Sequence, residues 1–120
     1  MKTREKTNPQ INDLISFLKK ASRENGVNLW QDIAYNLERP RKNYAEVNIS
    51  KINRYAAAGE TIIVPGKVLG TGIIENAVYV AALDFSSSAN DKILSANGEC
   101  MTIKDLVLKN PKGSHIRILR

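Results

Sequence analysis

Arg39, Arg41 and Lys42 stand within four positions of one another around Pro40, in the stretch LERPRKNYAEVNISKINRY from Leu37 to Tyr55. Three like charges at that spacing repel one another unless an anion neutralises them, and Glu38 and Glu46 are the only acids in this stretch. Guanidinium and ammonium groups on a turn stiffened by proline can hold phosphate oxygens, the chemistry of polyanion binding. The helix expected after the turn continues the pattern. On a helical projection Ile49, Ile52 and Ala56 share one face, while Ser50, Lys51 and Arg54 lie nearly opposite, so its cations are not needed by the core. Nothing of comparable density in this chain argues for catalysis.

The other reactive types are weaker. Gly66, Gly70 and Gly72 suggest a phosphate loop, but Lys67 follows the first glycine directly and no helix opens after the last. Nor does Gly70-Thr71-Gly72 continue to the third glycine of a dinucleotide fingerprint. Tight turns are the simpler reading, with Gly66 and Lys67 still able to approach a phosphate. His115 is the single histidine. In an extended strand it points away from its neighbour Ser114, and it has no companions for a metal site. The twelve carboxylates are scattered and no pair stands out for acid–base work. Trp30 falls on an apolar helix face and reads as core. Tyr44, directly after the basic turn, is open to a core role or to stacking on a base. The closing NPKGSHIRILR places Lys112, Arg117 and Arg120 as a second basic site at one end of the domain. Lys19, Lys20, Lys92, Lys104 and Lys109 read as solvated surface.

Elements must position these groups. Residues 1–7 are polar and basic without an apolar anchor, and form a flexible tail carrying Lys2, Arg4 and Lys6. Asn8 and Pro9 open a first helix with Ile11, Leu14, Ile15 and Leu18 at helical spacing, ended by Gly26. A second helix runs from about Leu29 to Leu37, capped by Asn28 with Gln31, and stops at Pro40. A third starts near Tyr44, with Asn43 and Glu46 as a capping pair, and ends at Gly59. From Glu60 the character changes. Thr61–Val64 is a strand closed by a Pro65-Gly66 turn, and Ala77–Leu83 is a nearly continuous apolar strand, as expected when both faces are covered. Ser87 or Ser88 caps a helix to about Ala96, 99–101 is a short strand, Thr102 and Asp105 cap a helix over Ile103–Lys109, and His115–Leu119 closes the chain as a strand. The fold class is α/β: an irregular, mixed, partly parallel sheet with packed helices, plus an N-terminal three-helix extension and the basic tail. Residues 8–120 form one domain, helical over 8–59 and α/β over 60–120.

Charge and composition bound the function. The 120 residues carry 18 basic and 12 acidic side chains, a net +6, and residues 1–59 hold +5 of it. Such an excess attracts polyanions. A single cysteine, Cys100, excludes an internal disulfide and implies a reducing compartment. The N-terminus has no apolar run of a signal peptide, and no stretch approaches the roughly 20 residues of a membrane span. A chain of this length needs no metal to fold. The alternative from another class is a small nucleotide-binding enzyme built on Lys67 and the glycine loop. A protein–protein adaptor would need a large exposed apolar patch that the helical faces do not suggest.

Four blocks in register, LERPRKNYAEVNISKI, IIVPGKVLGTGII, VYVAALDFSSSANDKI and NPKGSHIRILR, resemble the large-ribosomal-subunit proteins numbered eighteen in the archaeal and eukaryotic series, relatives of the bacterial large-subunit protein numbered fifteen. The resemblance runs from about Thr7 to Arg120, and the short length is similar to archaeal members. It implies an irregular α/β layer and a structural constituent of the large subunit that binds large-subunit rRNA. It further implies neighbouring ribosomal proteins as partners, a place in the cytoplasmic ribosome, and no enzymatic activity, cofactor, membrane or small-molecule substrate. Carried onto this chain, the family's basic block falls on Arg39, Pro40, Arg41 and Lys42, its following helix on Asn48, Lys51 and Arg54, and its glycine loop on Pro65, Gly66, Lys67, Gly70 and Gly72. Tyr44 departs from the resemblance, which implies His there. Lys112, His115, Arg117 and Arg120 complete the expected RNA-binding set with Lys2, Arg4 and Lys6.

Overall fold

A continuous apolar strand demands cover on both faces, and the computed structural model, which describes residues 9–120, supplies it with helices on each side of one sheet. In chain order the elements are α1 (Pro9–Asn25), α2 (Leu29–Glu38), a 3-10 turn (Arg41–Asn43), β1 (Ala45–Asn48), α3 (Ile49–Tyr55), β2 (Thr61–Leu69), β3 (Tyr79–Phe85), α4 (Ser87–Ser95), β4 (Glu99–Thr102), α5 (Ile103–Lys109) and β5 (Ile116–Ile118). The strands order as β1-β2-β3-β4, with β5 on β2, and every pairing among the described residues is parallel. That makes the sheet more regular than the partly parallel one expected. Ile62 and Val64 of β2, with Val80 and Ala82 of β3, pack against α3 and α4. The intervening Ile63 and Ala81 pack against α1, α2 and α5, whose Leu18, Trp30, Ile33, Leu37 and Leu106 form the second core. Alternation along the strand thus feeds two cores from one apolar run.

The N-terminal half is not a three-helix extension. Helices α1 and α2 cover one face of the sheet, α3 covers the other, and residues 45–48, expected within the third helix, form the strand β1. Tertiary pairing decides this, since Ala45–Asn48 align with Gly66–Leu69. The sheet outweighs the weak local capping pair at Asn43 and Glu46. The tail with Lys2, Arg4 and Lys6, and the cap expected at Asn8, lie outside the described residues.

The expected turn at Pro65-Gly66 is also absent, because β2 runs through it. Pro65 sits where the β2–β3 register shifts between Val64 and Lys67. On the other side β2 changes partner there, from β5 up to Ile63 to β1 from Gly66. A proline, which has no N–H to donate, fits a bulge at such a seam. Gly66 is required there for a different reason. A Cβ on it would come 1.9 Å from the Ala45 carbonyl oxygen, so β1 and β2 meet at this closeness only over glycine.

Caps follow the sequence where they are local. Ser86, one residue before the expected pair, accepts the Ala89 N–H at 3.2 Å, and Thr102 accepts the Asp105 N–H at 3.0 Å. Asn28 makes no side-chain cap bond. Trp30 is buried as expected, and its indole N–H donates 2.7 Å to the Pro111 carbonyl, tying the C-terminal segment to α2.

Candidate nucleic-acid interface

The basic turn is built by short-range bonds that leave its cations alone. Arg39 leaves α2 in extended conformation, and Pro40 at φ −53° starts the 3-10 turn. The turn is closed by Asn43 N–H to Pro40 carbonyl at 2.8 Å and Tyr44 N–H to Arg41 carbonyl at 3.0 Å. The Tyr44 hydroxyl then reaches back and donates 2.7 Å to the Leu37 carbonyl at the end of α2. Tyr44 is half-buried, and burial raises its phenol above the ordinary value, an effect the Arg41 charge opposes. Its role in this chain is to lock the turn.

The acid nearest in sequence already has a partner. Glu38, the carboxylate next to Arg39, is paired with Lys19 of α1 at 2.8 Å. Arg39, Arg41 and Lys42 are exposed, and among the described residues their side chains make no hydrogen bond and no ion pair. Clefts that share walls join them to further cations. Arg39 and Arg41 border a cleft against α1. Arg41 and Lys42 border a second one with Gly66, Lys67 and Asp84. Arg39 borders a third with Asp32, Asn36 and Arg120. Lys51 donates 2.6 Å to the Arg120 carbonyl, which brings α3 to the same margin. Arg54, on the turn of α3 after Lys51, is exposed, and Asn48 at the start of that helix is half-buried. The burial of Ile49, Ile52 and Ala56 against the exposure of Ser50 and Arg54 matches the projection read from the sequence.

The C-terminal cations do not gather into one site. Lys112 donates to the Asn25 carbonyl at 3.4 Å at the end of α1. Arg117 pairs with Glu60 at 3.2 Å. Arg120 donates 3.2 Å to the Asn36 side chain and so joins the basic turn instead. His115 shares a cleft with Gly59, Glu60 and Arg117 beside the first residue of β2, remote in the sheet from Gly66 and Lys67. It is not extended as expected: its φ of 58° is left-handed, and β5 begins only at Ile116. The Glu60 carboxyl is held below its ordinary range by the Ala57 N–H first and by Arg117 second.

The glycine loop serves packing. A Cβ on Gly70 would lie 1.7 Å from the Ser88 hydroxyl, and one on Gly72 would lie 2.5 Å from the Ser50 side chain. Its carbonyls at Gly70 and Gly72 face inward and accept from the Lys92 ammonium at 2.6 and 2.7 Å. Lys67 lies 3.9 Å from Asp84. Lys92, read from the sequence as solvated surface, is therefore the clamp of this loop. Its partners lie 20 and 22 residues away and leave no local signal. Lys19 was missed for the same reason. Among the described residues no group of three His, Cys, Asp or Glu side chains could hold a metal ion, and no helix is long and apolar enough to cross a membrane. Cys100 is half-buried, its thiol raised by burial and by Glu99.

Comparison with known proteins gives the family. Residues 1–120 match the family described as ribosomal protein 60S L18 and 50S L18e. The large ribosomal subunit protein eL18 of the archaeon Methanoregula boonei is 60% identical over 119 residues, covering 99% of this chain and 98% of the relative. Its counterpart in Methanosphaerula palustris is 61% identical over 115 residues, covering 96% and 95%. That of Haloarcula marismortui is 48% identical over 115 residues, covering 96% and 98%. With identity this high along nearly the whole of each relative, the chain belongs to the L18 and L18e family of large-subunit ribosomal proteins.

Proposed function

We propose that this protein binds large-subunit rRNA through the basic turn Arg39–Lys42 and the cations joined to it, Lys67, Arg120, Lys51 and Arg54. Family membership makes it a structural component of the large ribosomal subunit, located in the ribosome in the cytoplasm, and not an enzyme. The observation that carries the finer reading is that Arg39, Arg41 and Lys42 are exposed without internal partners on a turn locked at both ends. A cation carried on a fixed backbone and not neutralised gives up no existing partner on meeting a phosphate, and its binding releases a counterion condensed on the RNA. Lys2, Arg4 and Lys6 add their charge to RNA binding, Gly66 lets β1 carry the turn close to Lys67, and Asn48 starts the helix that presents Lys51 and Arg54. His115, Arg117 and Lys112 face a separate part of the rRNA or a neighbouring ribosomal protein.

Filter binding of the full chain to large-subunit RNA across a salt series tests this. Arg41→Ala and Lys42→Ala should each weaken binding and lower the slope of log K against log salt by about one. Unchanged affinity and slope in both variants would remove the turn from the interface.

A further inference from the structure

The cleft between α1 and the basic turn has more than phosphate binding requires. Its volume is about 640 Å³, within the roughly 300–1,000 Å³ of sites that enclose small ligands. Ile15, the buried Leu37 and Tyr44 give the cleft one apolar wall, and the Lys19–Glu38 ion pair lines it as well. Asn12 and Ser16 stand exposed at its rim, and among the described residues their side chains make no hydrogen bond. Arg39 and Arg41 flank it. A cleft with one apolar wall, unpartnered amide and hydroxyl groups at one edge and free guanidinium groups at another matches a nucleotide by parts. The base face meets the apolar wall, the base edge meets Asn12 and Ser16, and the phosphates meet the arginines.

We propose that this cleft receives one unstacked nucleobase extruded from the bound RNA. The inference rests on the reading of the turn as an RNA-binding site and adds to it a pocket that reads a base. The two contributions separate by their salt dependence. A phosphate contact releases counterions and contributes to the slope, whereas inserting a neutral base does not.

The test uses the full chain with a large-subunit RNA transcript, filter binding over a salt series, and base-specific chemical probing of the complex. Ser16→Leu fills the cleft from an exposed position that the fold does not need, and Asn12→Ala removes one edge contact. Ser16→Leu should weaken binding about tenfold at every salt concentration with an unchanged slope. It should also expose to the base-reactive probe one nucleotide that the unchanged protein protects. Asn12→Ala should weaken binding about threefold, again with the slope unchanged. Equal affinity and equal protection in both variants would overturn the nucleobase pocket, as would a loss of affinity accompanied by a lower slope, which marks a phosphate site. Unchanged RNA affinity with reduced incorporation into subunits would assign the cleft to a protein neighbour and overturn it too. None of these results bears on the slopes of Arg41→Ala and Lys42→Ala, so the pocket and the RNA-binding turn fail separately.

Discussion

The turn from Arg39 to Tyr44 and the segment from Asn110 to Arg120 are written in similar residues, cations set around a proline, yet the structure uses them in opposite ways. In the turn, three cations are free and the nearest acid is removed by Lys19. In the C-terminal segment Lys112 is engaged by the Asn25 carbonyl and Arg117 by Glu60, and only Arg120, on Asn36, reaches the margin of the turn. The backbone of the second segment is itself a tether, held by Trp30 at Pro111 and by the Asn110 side chain at Ser114. Counting charges cannot distinguish a binding site from a structural strap. What separates them is whether an anion or carbonyl already engages the cation, because a paired cation meets a phosphate with part of its charge and some of its donors already in use.

That contrast can be broken at its foundation first. Gly66→Ala drives a Cβ into the Ala45 carbonyl directly after the turn, so the β1–β2 pairing that seats the turn must yield. We expect a loss of about 3 kcal/mol or failure to fold, read by chemical denaturation, with RNA binding lost in parallel. A stable Gly66→Ala protein would show that the turn does not depend on the sheet. Next in size, Arg41→Ala combined with Lys42→Ala should lower RNA affinity by about tenfold or more at moderate salt and leave the melting temperature where it was. A drop in melting temperature would mean that these cations are structural after all, and the two regions would no longer differ in kind.

A smaller effect tests the lock. Tyr44→Phe removes the phenol that satisfies the Leu37 carbonyl and should cost about 1 kcal/mol of stability. It should also weaken RNA binding a few-fold by loosening the turn while leaving the salt slope unchanged, since no charge is lost. The smallest effect belongs to the strap. Arg117→Ala should reduce thermal stability slightly and leave the salt slope of RNA binding intact. Glu60 has a depressed folded pKa, so its contribution is present above the ordinary carboxylate value near 4.5 and fades as pH falls through the lower folded value. Melting curves of both proteins from neutral pH into acid should therefore converge at the acid end, while each keeps some acid sensitivity from the Ala57 N–H contact that both retain. A lower RNA salt slope in Arg117→Ala would move the strap into the interface.

Local physics was legible. Thr102 and the serine run before α4 announce helix starts because a cap bonds within three residues, and the structure shifts the second cap by a single position, to Ser86. Trp30 reads as core from its place on an apolar helical face. The outward face of α3 reads correctly because helical periodicity fixes which residues share a side. Apart from Asn28, whose expected cap bond does not form, the main failures are non-local. Ala45–Asn48 looks helical until β2 is beside it, Pro65 looks like a turn until the change of partner strand removes the need for its N–H, and Lys92 looks solvated until two loop carbonyls come to it. His115 looks extended until the chain must bend into β5 with a left-handed residue.

By itself the amino-acid sequence determined an α/β chain with a two-sided apolar sheet, and a proline-stiffened run of cations with few acids nearby. Those are properties of residue type and short spacing. Only the tertiary structure decided which cations stay free, because their competitors arrive from far along the chain. Glu38 is 19 residues from Lys19, Glu60 is 57 from Arg117, and Asn36 is 84 from Arg120. Ion pairs and carbonyl contacts act over a few ångströms in space, so folding alone sets the surface charge that remains for a partner.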